Sequence, residues 1–140
     1  MLNGQPLRHY DEMRTITSHR VNGCNEALHI HVVDQPGPGG ANHHYRIFGA
    51  KPLANDQDYE VTVACELMFQ NGPILECGTN GITHEALLAI VIDRLQCFQA
   101  GPYKCRENAL ALTHLEEAVH WLQHRTMARL ARGVEGTHEK

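Results

Sequence analysis

Phe98-Gln99-Ala100-Gly101-Pro102, the unbroken run from Lys104 to Arg132, and the closing Gly133-Val134-Glu135-Gly136-Thr137-His138 decide the fold of this chain. Gly101-Pro102 must reverse the chain, because proline lacks the N–H that a helix interior needs and its ring clashes with the preceding turn. Beyond it, Leu112, Leu115, Val119 and Leu122 recur at intervals of three, four and three, which is one side of a helix. Arg125, Arg129 and Arg132 continue that spacing on nearly the same side. A stripe that begins apolar and ends cationic predicts a packed neighbour along most of the helix and an anion at its end. The helix is expected from near Lys104 to about Arg132, roughly 29 residues or ~43 Å at helical rise, with Gly133 as its stop. Such a helix overhangs a globule of 140 residues, so a second copy packed against it is expected.

Toward the N-terminus, Thr83 is placed to cap a first helix, with Glu85 in its opening turn. Leu88, Val91, Leu95 and Phe98 mark one side of it, and Leu87, Ile90 and Ile92 widen the apolar surface, so burial on two sides is expected. Upstream the period changes to two. Residues 26–34 alternate apolar and polar, Gln35–Gly40 is a proline- and glycine-rich turn, and His43–Phe48 alternates again, which predicts an antiparallel pair. Residues 51–58 read as an exposed loop and Val61–Gln70 as the most strand-like stretch. Asn71-Gly72-Pro73 reads as a breaker, and Ile74–Cys77 as a short returning strand. Residues 1–24 show no clear period and suit either a flexible arm or a weak first strand. The expected organisation is an N-terminal arm over 1–24, an antiparallel β region over 25–82 and a helical hairpin with a C-terminal tail over 83–140. The class is α+β, with a small antiparallel sheet followed by two helices, and few, short strands favour an oligomer.

Composition narrows the function. Apolar residues at 42% and charged residues at 20% describe a globular chain. A net charge of −4 argues against a general binder of nucleic-acid polymers, which carry a basic surplus. The arginines at the C-terminal end still leave room for a local cationic site. The five cysteines are widely spaced with no CxxC pair, so they read as reduced and mostly core in a cytosolic protein rather than as a zinc site. No signal peptide and no membrane-length apolar run stand out.

Of the candidate sites, the arginine row has the most direct chemistry, since guanidinium forks match phosphate oxygens and stack on bases. The plainer reading is a solvated helix end whose cations suit the C-terminal dipole. Phe98 and Asn108 flank the turn between the helices, where an aromatic ring can stack on a purine and an amide can read its edge; a core phenylalanine and a helix-start polar residue are the plainer readings. Asn108 and Arg125 stand 17 positions apart, ~25 Å at helical rise. They can share one small ligand only if two protomers supply the pocket, with their hairpins antiparallel. His120 and His124 lie at i, i+4, but no further ligand or HExxH motif accompanies them, so they read as surface histidines. His29 and His31 share a strand face and could pair with His43 or His44 across the hairpin. Gly37–Gly40 offers backbone amides to a phosphate but lacks the rest of a P-loop. Neither a nucleophile triad nor paired carboxylates are set by spacing. No catalytic residue, cofactor or metal is therefore expected.

Phe69-Gln70-Asn71-Gly72-Pro73-Ile74, the run from Asn80 to Arg94, Phe98–Pro102, Arg106–Leu112, Arg125-Thr126 and Arg132–Thr137 together resemble the phage anti-Thoeris sponge family. That family shares a helical hairpin with the anti-CBASS cyclic-dinucleotide sponges. Pro38–Tyr45 is similar to its β portion, and the resemblance spans most of residues 25–138. It implies a non-enzymatic protein in the cytoplasm of the infected bacterium that sequesters a cyclic ADP-ribose isomer made by a TIR-domain sensor. Cyclic di- or trinucleotides are implied as further ligands, and a homodimer or a higher oligomer such as a hexamer as the assembly. Carried onto matching positions, Phe98 would stack the adenine, Asn108 would hydrogen-bond the base or ribose, and Arg125 would hold phosphate. Arg129 is added from its place on the same face. Tyr103 and His114 stand where the pattern leads us to expect Phe and Lys. The competing expectations are an interaction protein whose long helix docks a partner, and a histidine-dependent cyclic-nucleotide hydrolase.

Overall fold

The computed structural model describes residues 12–55 and 58–139. In chain order the elements are β1 (Arg14–Ile16), α1 (Gly23–Glu26), β2 (Leu28–Val32), β3 (His44–Pro52), β4 (Tyr59–Met68), α2 (Ile74–Cys77), α3 (His84–Ala100) and α4 (Arg106–Ala131). The described residues divide after Asn71 into two units, a sheet and a helical hairpin, and the class is α+β as expected.

Period-two alternation builds the sheet. Its four strands run antiparallel in chain order, β1-β2-β3-β4. Ile30 lies opposite Ile47 and Ile47 opposite Cys65, while Val32, Tyr45 and Leu67 form the next row on the same face. Val32 is fully buried in this row, and the Tyr45 ring meets Phe69 edge to face at 5.7 Å. Gly49 sits between Leu28 and Val63, and a Cβ there would come within 2.9 Å of Val63 Cγ1. Only glycine lets those strands close, and the register shifts directly after it, between Gly49 and Ala50. The opposite face carries His29, His31, His44, Arg46, Phe48 and Glu66.

Four local expectations change. Lys51 and Pro52, read as the start of an exposed loop, end β3 opposite Glu60 and Tyr59. Glu26, read as strand, ends α1, because the Asn22 side chain accepts the Asn25 N–H and caps a helical turn. Ile74–Cys77, read as a returning strand, is the helical turn α2, bounded by Pro73 and by Gly78 at φ 67°. Four apolar-rich residues cannot distinguish the two periods. The cysteines, expected mostly in the core, are free and all exposed: Cys65 shares the Val32 face but sits on the edge strand β4, where it is left uncovered, and Cys105 serves as a helix cap. Within the polar N-terminal stretch, Arg14–Ile16 forms a strand on β2, while residues 1–11 lie outside the described residues.

In the hairpin unit, Thr83 Oγ1 accepts the Ala86 N–H at 3.1 Å and starts α3. The Gln99 side-chain amide then spans the reversal. It donates to the Cys105 carbonyl at 3.1 Å and accepts the Cys105 N–H at 3.0 Å. Cys105 Sγ accepts the Asn108 N–H and opens α4. At the far end Gly133, at φ 71°, closes a Schellman motif: its N–H donates to Leu130 and that of Val134 to Arg129. The less exposed positions of α4 are Asn108, Leu112, Leu115, Val119, Leu122, Thr126 and Arg129. Their alternation of four and three is the seam of a packed helix pair.

Candidate functional site at the ends of the long helix

α4 outruns α3, 26 residues against 17, so about 14 Å of it extends beyond its partner helix. The last turns of the seam are covered instead by the chain's own C-terminus. Gly136, at φ 76°, accepts the Leu75 N–H at 3.3 Å, and a Cβ on it would fall 2.7 Å from Ile74 Cγ2. His138 Nδ1 lies 3.2 Å from Glu76 Oε1. The tail and α2 thus form one knot, and Arg129 is at its centre.

Arg129 is 9% exposed. Its Nε donates to Glu135 Oε2 at 3.0 Å, one terminal nitrogen to the Glu139 carbonyl at 2.6 Å, and the other to the carbonyls of Val134 and Thr137 at 2.9 and 3.1 Å. Four of its five N–H groups are therefore committed to the tail. Arg125, one turn earlier, is exposed and has no hydrogen bond or ion pair among the described residues. The row read as one stripe is thus split. A four-three seam passes through Thr126 and Arg129 and leaves Arg125 at its margin, its guanidinium open to an anion.

At the opposite end, Phe98 is half-buried in the last turn of α3, with the Arg94 guanidinium carbon 5.0 Å from its ring centroid. That cation occupies one face of the ring. Asn108 is half-buried in the first turn of α4. Its backbone is fixed by Cys105, while its side-chain amide has no partner among the described residues. The five-residue reversal brings Phe98 and Asn108 to one end of the hairpin, and Arg125 stands toward the other.

The histidine expectations resolve differently. Trp121 lies between His120 and His124, edge to face with each at 5.7 Å, and all three are exposed. Among the described residues no group of three histidines, cysteines or carboxylates is set to hold a metal ion. His29 and His31 lie opposite Phe48 and Arg46, not His43 or His44, because β3 begins level with the end of β2. At Gly37–Gly40 two amides, those of Gly37 and Gly40, close the loop on itself. Among the described residues no helix is long and apolar enough to cross a membrane.

Sequence reasoning missed the tail knot. Residues 134–139 have no period, and the available signal was the pair Gly133 and Gly136 on either side of Glu135. A family model described as the Acb2/Tad1 hairpin domain matches residues 66–127. The protein "Thoeris anti-defense 1" of Bacillus phage SBSphiJ7 is 50% identical over 97 residues, 69% of this chain and 68% of that protein. The anti-Thoeris resemblance read from the motifs therefore holds, and the chain belongs to the Thoeris anti-defense 1 family.

Proposed function

We propose that this protein captures a cyclic ADP-ribose isomer in the cytoplasm of an infected bacterium and holds it uncleaved, so that a Thoeris effector never receives its signal. One observation carries this reading: Arg125 is an open guanidinium near one end of α4, whose other end presents Asn108 beside the reversal that follows Phe98 of α3. In the proposal Phe98 stacks the adenine on the ring face away from Arg94, Asn108 hydrogen-bonds the base or ribose, and Arg125 holds phosphate. The ~25 Å between Asn108 and Arg125 then requires two chains with antiparallel hairpins. Arg129 contributes through the tail it fastens, one turn from Arg125.

Exposed apolar side chains support the pairing. Ile90 is 67% exposed, Trp121 66%, Met127 64% and Leu130 55%. Apolar surface on this scale on the two helices is what a second copy would cover. A pocket closed between two chains also suits stoichiometric capture, because enclosing a small dianion yields the slow release that sequestration needs. Cyclic di- or trinucleotides are the next ligands to try.

The test is to mix the protein with a TIR-generated cyclic ADP-ribose isomer, remove free ligand, heat-denature the protein and analyse what is released. Intact ligand in the released fraction supports capture. A converted product would make the protein an enzyme. Absence of depletion would remove this signal as the ligand and favour the exposed helix surface as a protein-docking face.

A further inference from the structure

The histidine face of the sheet carries a second constellation, remote in sequence from the hairpin residues. The register shift between Gly49 and Ala50 bends β3 against β4. Where the strands bend, the small side chain of Ala50 lies among larger ones and leaves a concavity of about 460 Å³, lined by His29, Arg46, Phe48, Ala50, Tyr59 and Val61. That volume lies within the range of small-molecule pockets, roughly 300–1,000 Å³.

Its walls are ordered by one another. His29 and Phe48 are stacked, centroids 5.0 Å apart and planes 19° from parallel, and His31 meets Phe48 edge-on at 4.9 Å. Tyr59 stands at the rim, 65% exposed. Flat rings held in this way stack on planar aromatic ligands at little ordering cost. The charged member is Arg46, 9% exposed, which donates to Glu66 on the neighbouring strand at 3.3 Å. Glu66 itself is 40% exposed and lies 3.7 Å from His44, so the ion pair anchors the guanidinium from outside the pocket. A second guanidinium, that of Arg20, comes within 3.4 Å of His29 Nδ1. Among the described lining residues none is acidic. A cation at the edge of a largely apolar, concave surface attracts an anion more strongly than it would in open water.

We infer that this face is a second small-molecule site, for a planar aromatic ring bearing an anionic group: the ring lies against His29, Phe48 and Tyr59, and the anion meets Arg46. The site belongs to the sheet unit and does not depend on the capture proposed for Phe98, Asn108 and Arg125.

The probe is adenosine monophosphate, titrated into the full chain and followed by backbone amide NMR. Saturable shifts are expected at His29, Phe48 and Val61. Adenosine alone and inorganic phosphate alone should each bind at least about tenfold more weakly, the factor expected when a charged hydrogen bond or the ring contact is lost. Ala50→Trp, which fills the concavity, should abolish the shifts, and Tyr59→Ala, at the exposed rim, should weaken them. Arg125→Ala should leave them intact, which separates this site from the hairpin. Shifts confined to residues 84–132, phosphate binding as well as the nucleotide, or full binding by folded Ala50→Trp and Tyr59→Ala proteins would each overturn the inference.

Discussion

Arg129→Ala removes the hub of the tail knot, and its cost can be worked from the geometry. Four donors are lost at once, one to a carboxylate and three to backbone carbonyls. Removing one partner of a fully buried pair costs roughly 3–5 kcal/mol. Here the Glu135 side chain is 35% exposed and regains water once the tail lifts, so about 2–3 kcal/mol is expected. That loss should be local. Residues 134–139 would open while the α3–α4 seam stays shut, because partly exposed terminal segments open in sub-global steps. Hydrogen exchange reads this directly. The Val134 and Thr137 amides, bonded to Arg129 and Val134 carbonyls, should exchange about 30- to 150-fold faster. Amides of residues 88–98 and 110–122 should keep their rates. Arg129→Lys should behave nearly as badly, since an ammonium cannot reproduce a fork aimed at four acceptors. Equal tail protection in wild type and Arg129→Ala would refute the reasoning. So would a uniform loss of protection across both helices.

Arg125→Ala should weaken binding of the cyclic ADP-ribose isomer by roughly 10- to 150-fold, the worth of a charge-assisted hydrogen bond, without altering the oligomer; calorimetry showing wild-type affinity would remove Arg125 from the site. Thr83→Ala deletes the cap of α3 and should cost about 1 kcal/mol in urea denaturation, whereas a change within a few tenths would mean that other contacts hold the helix start. Trp121→Glu should cost an isolated chain less than about 0.5 kcal/mol, because the side chain is exposed. If a second copy covers it, sedimentation should instead show dissociation, and an unchanged sedimentation profile would place the interface elsewhere.

The hairpin was legible because its signals are long and mutually consistent: Thr83 as cap, Gly101-Pro102 as reversal, Gly133 as stop, and leucines repeating between them. The observed α4 is three residues shorter than the roughly 29 expected, the frayed ends being the part that periodicity resolves least. Shorter segments were not legible. Ile74–Cys77 is too brief to have a period, and Glu26 belongs to a turn dictated by a side chain four positions earlier. The arginine row shows the subtler failure. Arg125 and Arg129 look equivalent in a list of spacings, yet they differ by about 40° around an ideal helix. That rotation is enough to bury one beneath the tail and leave the other in solvent. Nothing in composition announced that a non-periodic tail would return to claim Arg129. His29 and His31 share a strand face as the alternation predicted, but their neighbour there is a nearly buried arginine supplied by the next strand, which the spacing of histidines could not show.

The order of the sheet has a kinetic consequence. Each strand pairs with its sequence neighbour, so every pairing closes a short loop, and none must wait for a distant segment to be synthesised. The β-meander can therefore assemble once Met68 has emerged from the ribosome, while α3 is still inside the exit tunnel. The hairpin follows with its reversal already fastened by Gln99. A chain arranged in this way reaches its native form from local events, with little time spent exposing unpaired strand edges.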